Sequence, residues 1–283
     1  MLKVAAIQMQ MSEDKDLNVA KAEDLVRQAA EGGANFILLP ELFEGLYFCK
    51  DIDKQYFSWA QEREGHPLLK KFSALAKELA VVILVSYFEK SEEKYFNSLV
   101  VMDSDGTILD NYRKTHIPDG PGYEEKFYFA PGDSGFKVWD TAYGKIGAGI
   151  CWDQWFPETA RSLALMGAEL LFYPTAIGSE PEIGGDSKEH WQRVQMGHAA
   201  ANTIPVIAAN RIGEEQGESC SLTFYGSSFM TDITGAKIAE ASRDKEEILY
   251  AEYDLKKNAQ DREYWGLFKD RRPDAYQRIT ENR

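Results

Sequence analysis

Cysteine, histidine and basic residues are all scarce in this chain. Its 283 residues include three cysteines, Cys49, Cys151 and Cys220, and four histidines. An odd number of cysteines at unrelated spacings gives neither a disulfide framework nor a paired zinc signature, so no metal site is expected. Lysines and arginines number 32 against 46 aspartates and glutamates, for a formal net charge of −14. That balance disfavours phosphate backbones and anionic bilayers, so neither nucleic acid nor membrane is expected as a partner. No apolar run is long enough to span a bilayer. The N-terminal residues enter a strand pattern at once, without the apolar region and cleavage site of a secretory leader. Free thiols fit a reducing compartment, and the expectation is cytoplasmic. No linker composition, repeat or low-complexity tract divides the sequence, which reads as one domain over 1–283.

Apolar residues make up 44% of the chain, enough for a large core. Short β-prone runs fall at 2–9, 35–39, 81–88, 95–102, 107–112, 136–139, 145–150, 170–173, 205–210, 227–231, 237–240 and 248–253. Helical periodicity covers a segment capped by Asp16 or Asn18 and ending near 31, then 66–79, 157–165 and 187–202. Asp103-Ser104-Asp105-Gly106 predicts a hairpin between 95–102 and 107–112. Residues 115–136 read as a long Gly/Pro/aromatic loop, and long loops in compact domains are usually functional. Strand-helix-strand units alternate with hairpins, and several strands are apolar on both faces. This pattern fits an α/β fold of two facing sheets covered by helices. The segment after 255 is charged but carries Tyr264, Trp265 and Phe268, too aromatic for a solvated tail. It is expected to pack on a neighbouring subunit.

Three β-prone runs end on a reactive residue: Glu41 after Pro40, Lys114 after Arg113, and Cys151 after Ile150. Ligands of α/β proteins bind at the carboxyl ends of strands, so the three could meet in one pocket. A thiolate is the attacking species. It needs a base to remove its proton and a cation or amide groups to hold the charge that develops. Glutamate, lysine and a cysteine at a strand-to-helix turn supply these parts for acyl transfer. Each residue also has a plainer reading, as a solvated charge near a turn or a buried structural thiol. His190 and His198 lie two turns apart on one helix, too far for joint metal ligation. The glycine-rich stretches match no phosphate loop.

At these residues the sequence resembles the nitrilase superfamily of carbon–nitrogen hydrolases over nearly its whole length. Pro40-Glu41 matches the glutamate motif of that family and Arg113-Lys114-Thr115-His116 its lysine motif. Gly149-Ile150-Cys151-Trp152-Asp153, followed by Pro157-Glu158, matches its cysteine motif. The resemblance implies a four-layer α-β-β-α sandwich that assembles as a homo-dimer or higher homo-oligomer. It implies a catalytic Glu41, Lys114 and Cys151, an oxyanion contact from the backbone N–H of Trp152, and no cofactor. A supporting glutamate in the loop after the lysine falls by position on Glu125, with Glu124 the adjacent alternative.

Lys114-Thr115-His116-Ile117-Pro118, the run 121–129 and Cys151-Trp152-Asp153-Gln154-Trp155-Phe156-Pro157-Glu158 are similar to the N-carbamoylputrescine amidase branch. Relatives that cleave ureido acids tend to place arginine soon after the nucleophile, where it pairs with a carboxylate. Here Asp153, Gln154 and Trp155 stand instead. The resemblance therefore implies a small ureido or amide substrate ending in a cationic amine. His116, Asp153 and Trp155 are candidate substrate contacts, and Glu182 or Glu189 candidate readers of the amine. An ω-amidase or β-ureidopropionase-like activity is the alternative within the superfamily, and a catalytically silent scaffold the alternative outside it.

Overall fold

Alternation within the first strand, β1 (Leu2–Gln10), sets the layering. Val4 and Ala6 face one apolar layer, while Ala5, Ile7 and Met9 face another. Only a sheet covered on both sides needs such a strand. The computed structural model describes residues 1–180, 184–218 and 220–281. The strands that follow are β2 (Phe36–Leu38), β3 (Val82–Ser91), β4 (Lys94–Met102), β5 (Tyr112–Arg113), β6 (Lys137–Thr141), β7 (Gly144–Ala148) and β8 (Leu170–Pro174). Then come β9 (Ser179–Glu180), β10 (Gly185–Asp186), β11 (Val206–Ala209), β12 (Arg211–Gln216), β13 (Ser221–Tyr225), β14 (Phe229–Thr231), β15 (Lys237–Glu240) and β16 (Glu247–Tyr253). The helices are α1 (Lys15–Glu31), α2 (Pro67–Leu79), α3 (Glu125–Tyr128), α4 (Pro157–Leu165), α5 (Lys188–Asn202) and α6 (Leu255–Trp265).

One sheet runs β13-β12-β1-β2-β3-β4-β5, with β16 also paired to β1, and the other runs β15-β14-β11-β8-β7-β6. Between the sheets, Val4, Phe36, Leu84 and Val101 pack against Ile146, Leu170, Phe172 and Ile207. Helices α1 and α2 cover the outer face of the first sheet through Ala22, Val26, Leu69 and Phe72. Helices α4 and α5 cover the second through Ala160, Leu163, Trp191 and Ala199. The result is the expected four-layer α-β-β-α sandwich. No helix among the described residues is long and apolar enough to cross a membrane.

Several local expectations change. Helix α1 is capped by Asp14, whose carboxylate accepts the N–H of Asp16 at 3.0 Å and of Leu17 at 3.1 Å. Asn18 is buried instead and bonds to Ser12 and to the Glu44 carbonyl. The hairpin arm expected at 107–112 keeps only Tyr112 and Arg113 in the ladder, with a lone bridge at Ile108. The expected turn at Asp103–Gly106 does form, with the Asp103 N–H on the Thr107 carbonyl at 2.9 Å, and another tight hairpin joins β3 to β4, where Glu92 takes a positive φ of 54°. Residues 115–136 contain the single helical turn α3. The ribbons β9–β10 and β12–β13 have no counterpart in the sequence reading: β9, β10 and β12 are short or polar, and only β13 alternates, with Leu222 and Phe224 buried around Thr223. The C-terminal segment begins with α6, and Tyr264 and Trp265 are solvent-exposed.

The cap assignment gives a direct test. Asp14→Ala should lower the unfolding free energy by about 1 kcal/mol, read from a urea transition. Asp16→Ala, which removes no cap, should stay within about 0.5 kcal/mol of the parent.

Candidate active site

Each candidate group is held at a strand end by its own backbone device. Glu41 follows β2 across Pro40, which has no N–H to continue the ladder. The next residue, Leu42, has a φ of 47°, and its N–H donates to Ser86 Oγ at 3.2 Å. That sharp turn points Glu41 inward, where it is fully buried. Lys114 follows β5. Its N–H donates to the Asn97 carbonyl and its own carbonyl accepts from the Gly132 N–H, both at 2.8 Å. A Cβ on Gly132 would stand 2.1 Å from the Arg113 carbonyl oxygen, so only glycine lets the loop cross here. Arg113 is itself clamped to the buried Glu89 by two bonds of 2.6 and 3.0 Å. Cys151 opens a helical turn, Cys151–Trp155, beyond β7, with a φ of 39°. Left-handed backbone at Leu42 and Cys151 is strain of the kind that collects at functional sites.

The side chains converge on one ammonium. Lys114 Nζ lies 2.9 Å from Glu41 Oε1 and 2.9 and 2.6 Å from the two oxygens of Glu125. Asn97 Nδ2 donates to the same Glu41 oxygen at 2.7 Å, and the Tyr47 hydroxyl donates to Glu125 at 2.7 Å. Glu41 Oε2 has no hydrogen-bond partner among the described residues, which leaves an oxygen to receive a proton. Glu125, and not Glu124, is the carboxylate brought to the lysine.

Burial shapes the charges. It opposes the Lys114 ammonium, but Glu125 and Glu41 outweigh it and hold the group well above the ordinary lysine range. Burial raises Glu125 to about 7, with Glu41 adding to the rise and Lys114 opposing it. Burial, then Glu41, also pushes the Cys151 thiol up, against the pull of Lys114. A thiol in this setting needs a base beside it before it can act as a nucleophile.

A cavity of about 220 Å³ opens over Cys151. Trp152, Trp155, Tyr123 and Glu125 line it, with Asp119 and Glu180 among the other wall residues. His116 and Asp153, expected as substrate contacts, do not line it. Asp153 is fully buried behind the nucleophile. One of its oxygens accepts the His116 N–H at 3.0 Å and faces His116 Nδ1 at 2.8 Å. The other accepts the Tyr112 hydroxyl at 2.7 Å and the Ile150 N–H at 2.9 Å. Four contacts exhaust the lone pairs of a carboxylate, leaving none for a substrate. His116 stacks on Phe156 with ring centres 3.6 Å apart. Asp153 therefore ties the lysine strand to the cysteine turn. Gly149 makes room for it, since a Cβ there would come within 2.9 Å of the Asp153 Cβ. Glu189 is exposed and paired with Lys188, and Glu182 lies outside the described residues.

Sequence reasoning missed Asn97, Tyr47 and Glu180. Asn97 was detectable as one of two polar residues, with Ser98, that precede the apolar end of a buried strand. Glu180 carried a weaker signal, an acid a few residues past a strand end.

The profile of the carbon-nitrogen hydrolase family matches residues 3–263. The chain belongs to this family. It is 54% identical over 278 residues to the N-carbamoylputrescine amidase of Solanum tuberosum, covering 96% of this chain and 93% of that one. It is 53% identical over 280 residues to the citrullinase of Francisella tularensis, covering 99% and 98%. The crystal structure of a carbon-nitrogen hydrolase from Helicobacter pylori G27 superposes with a TM-score of 0.93 at 39% identity, covering 99% of each chain.

Two outcomes follow for this hydrolase. Asp153→Asn puts an amide NH₂ against donors, and should cost about 2 kcal/mol or more of stability in a denaturant titration. The second concerns Glu125, which keeps its proton up to about 7 in the folded chain against an ordinary 4.5. The folded state binds the extra proton across that window, so this group's contribution to stability declines as pH rises from 4.5 to about 7. Subtracting the pH–stability curve of Glu125→Gln from that of the parent should expose this decline; a flat difference would count against the assignment.

Proposed function

We propose that this hydrolase converts N-carbamoylputrescine to putrescine, ammonia and carbon dioxide. One observation carries the substrate reading: among the described residues the pocket wall has Glu180 and Asp119 but no lysine or arginine. Trp152, Trp155 and Tyr123 add aromatic surface. Such a wall suits an ammonium end and offers nothing to a carboxylate. Glu180, held by Ser187 Oγ at 2.9 Å, is the proposed reader of the amine.

Glu41 takes the Cys151 proton through its unpartnered oxygen. The sulfur attacks the ureido carbonyl, and Lys114 with the Trp152 N–H holds the oxyanion. The C–N bond to the terminal nitrogen breaks, and ammonia departs with the proton from Glu41. The remaining thioester is attacked by a water that Glu41 deprotonates, freeing Cys151. The N-carboxy product then loses carbon dioxide to give the amine. No metal or organic cofactor enters. Glu125 keeps Lys114 charged and in place.

The relative named citrullinase supports a second reading. Citrulline is this ureide with a carboxylate added beside the amine. That carboxylate would enter a wall without a cation, which disfavours it by about 1.5–3 kcal/mol, roughly a ten- to hundredfold drop in kcat/KM. We further propose that residues 1–283 act as one catalytic domain. The exposed aromatics of 255–283 would pack at the interface of a homo-oligomer in the cytoplasm.

Ammonia release from N-carbamoylputrescine, citrulline and N-carbamoyl-β-alanine tests the proposal. The cationic ureide should be preferred at least tenfold, and Cys151→Ala should be inactive on all three. Preference for citrulline would overturn the substrate reading and leave the triad standing; an active Cys151→Ala would overturn the mechanism. Glu180→Gln should raise KM more than it lowers kcat.

A further inference from the structure

Gln154 is fully buried three residues beyond the nucleophile, on the same turn. Its amide nitrogen lies 3.9 Å from Cys151 Sγ, and its amide oxygen is 3.0 Å from the Thr175 hydroxyl. That hydroxyl also lies 3.1 Å from the Tyr173 carbonyl. The backbone carbonyl of Gln154 faces His198 Nε2 at 3.0 Å. Both ends of the residue are therefore anchored, one by the strand end that carries Thr175 and one by α5. With its oxygen turned to a hydroxyl, the amide must turn its N–H groups the other way. Buried donors find acceptors in folded proteins, and here the sulfur is the acceptor in reach.

The sulfur has a second neutral neighbour, the Ala176 carbonyl at 3.7 Å. A carbonyl accepts the S–H of the resting thiol and repels a thiolate. An amide N–H does the reverse, because its bond to sulfur strengthens as negative charge builds. Lys114 is already divided between two carboxylates. We infer that Gln154 is a further catalytic residue: its amide N–H holds the Cys151 sulfur in line and stabilises the thiolate that forms when Glu41 takes the proton. Thr175 is a positioning residue, fixing which face of that amide meets the sulfur. The same residue links the two halves of the reaction, since its backbone carbonyl receives the Glu41 N–H at 3.4 Å.

This inference rests on Cys151 being the nucleophile, and its test needs no ureide. Iodoacetamide alkylates a thiolate with loss of iodide, so the pH dependence of alkylation at Cys151 reports the ease of ionisation. Peptide mass spectrometry separates Cys151 from Cys49 and Cys220. In Gln154→Met, which keeps the volume and removes the N–H, the midpoint should rise by about one pH unit, the worth of one hydrogen bond to a charge. Thr175→Val should move it the same way by less. With the preferred ureide, Gln154→Met should lower kcat about tenfold with little change in KM. An unshifted alkylation midpoint in folded Gln154→Met would overturn the inference. If that variant fails to fold, an unshifted midpoint in Thr175→Val overturns it instead. A shifted midpoint in a protein inactive on every ureide would uphold Gln154 while rejecting the proposed substrate.

Discussion

The Lys114 ammonium, fully buried between Glu41 and Glu125, is the constraint on which the structure depends. A buried charge is tolerable only when its partners are in place; removing one from a buried pair typically costs about 3–5 kcal/mol. The three residues come from three segments: the end of β2, the end of β5 and the short helix α3. The fold must bring those segments together to within hydrogen-bond distance. It does so with devices that have no other evident purpose. A glycine lets the loop at 132 cross Arg113, a buried Glu89 clamps Arg113, and Asn97 from the adjacent strand fixes the Glu41 carboxylate. The oxygen of Glu41 that Lys114 and Asn97 do not occupy is the one available as a base.

The second tie is Asp153. A catalytic pocket built from two sheets needs their relative position fixed to within fractions of an ångström. Asp153, on the cysteine turn beyond β7, accepts from Tyr112 and from the His116 backbone on the lysine strand and its loop. Cys151 and Lys114 are thus registered by one carboxylate that does not line the pocket. The strained backbone at Leu42 and Cys151 belongs to the same design. Surrounding packing holds conformations that the residues alone would avoid.

Beneath the pocket lies an aromatic floor. Tyr47, Phe48, Phe88, Tyr128 and Phe129 pack into a cluster with Leu42 and Ile117. It keeps water from the ion cluster, and the low dielectric strengthens each electrostatic contact there. Its cost appears in the titration behaviour, because the same burial raises both Glu125 and Cys151.

The sequence alone determined the layers and pointed to the residues that converge in the site. Apolar runs of strand length reveal buried strands, because burial on both faces leaves no polar positions. Glu41, Lys114 and Cys151 were visible because each interrupts such a run at its end. Tertiary structure decided the rest. An acid beside the nucleophile looks like a substrate contact until its four donors, drawn from positions 112, 116 and 150, are seen together. Conversely, Tyr47 carries no local mark of its role, and Asn97 and Glu180 carry only weak ones. A side chain's charge and size are written in the sequence, but its partners are set by packing between segments far apart in the chain.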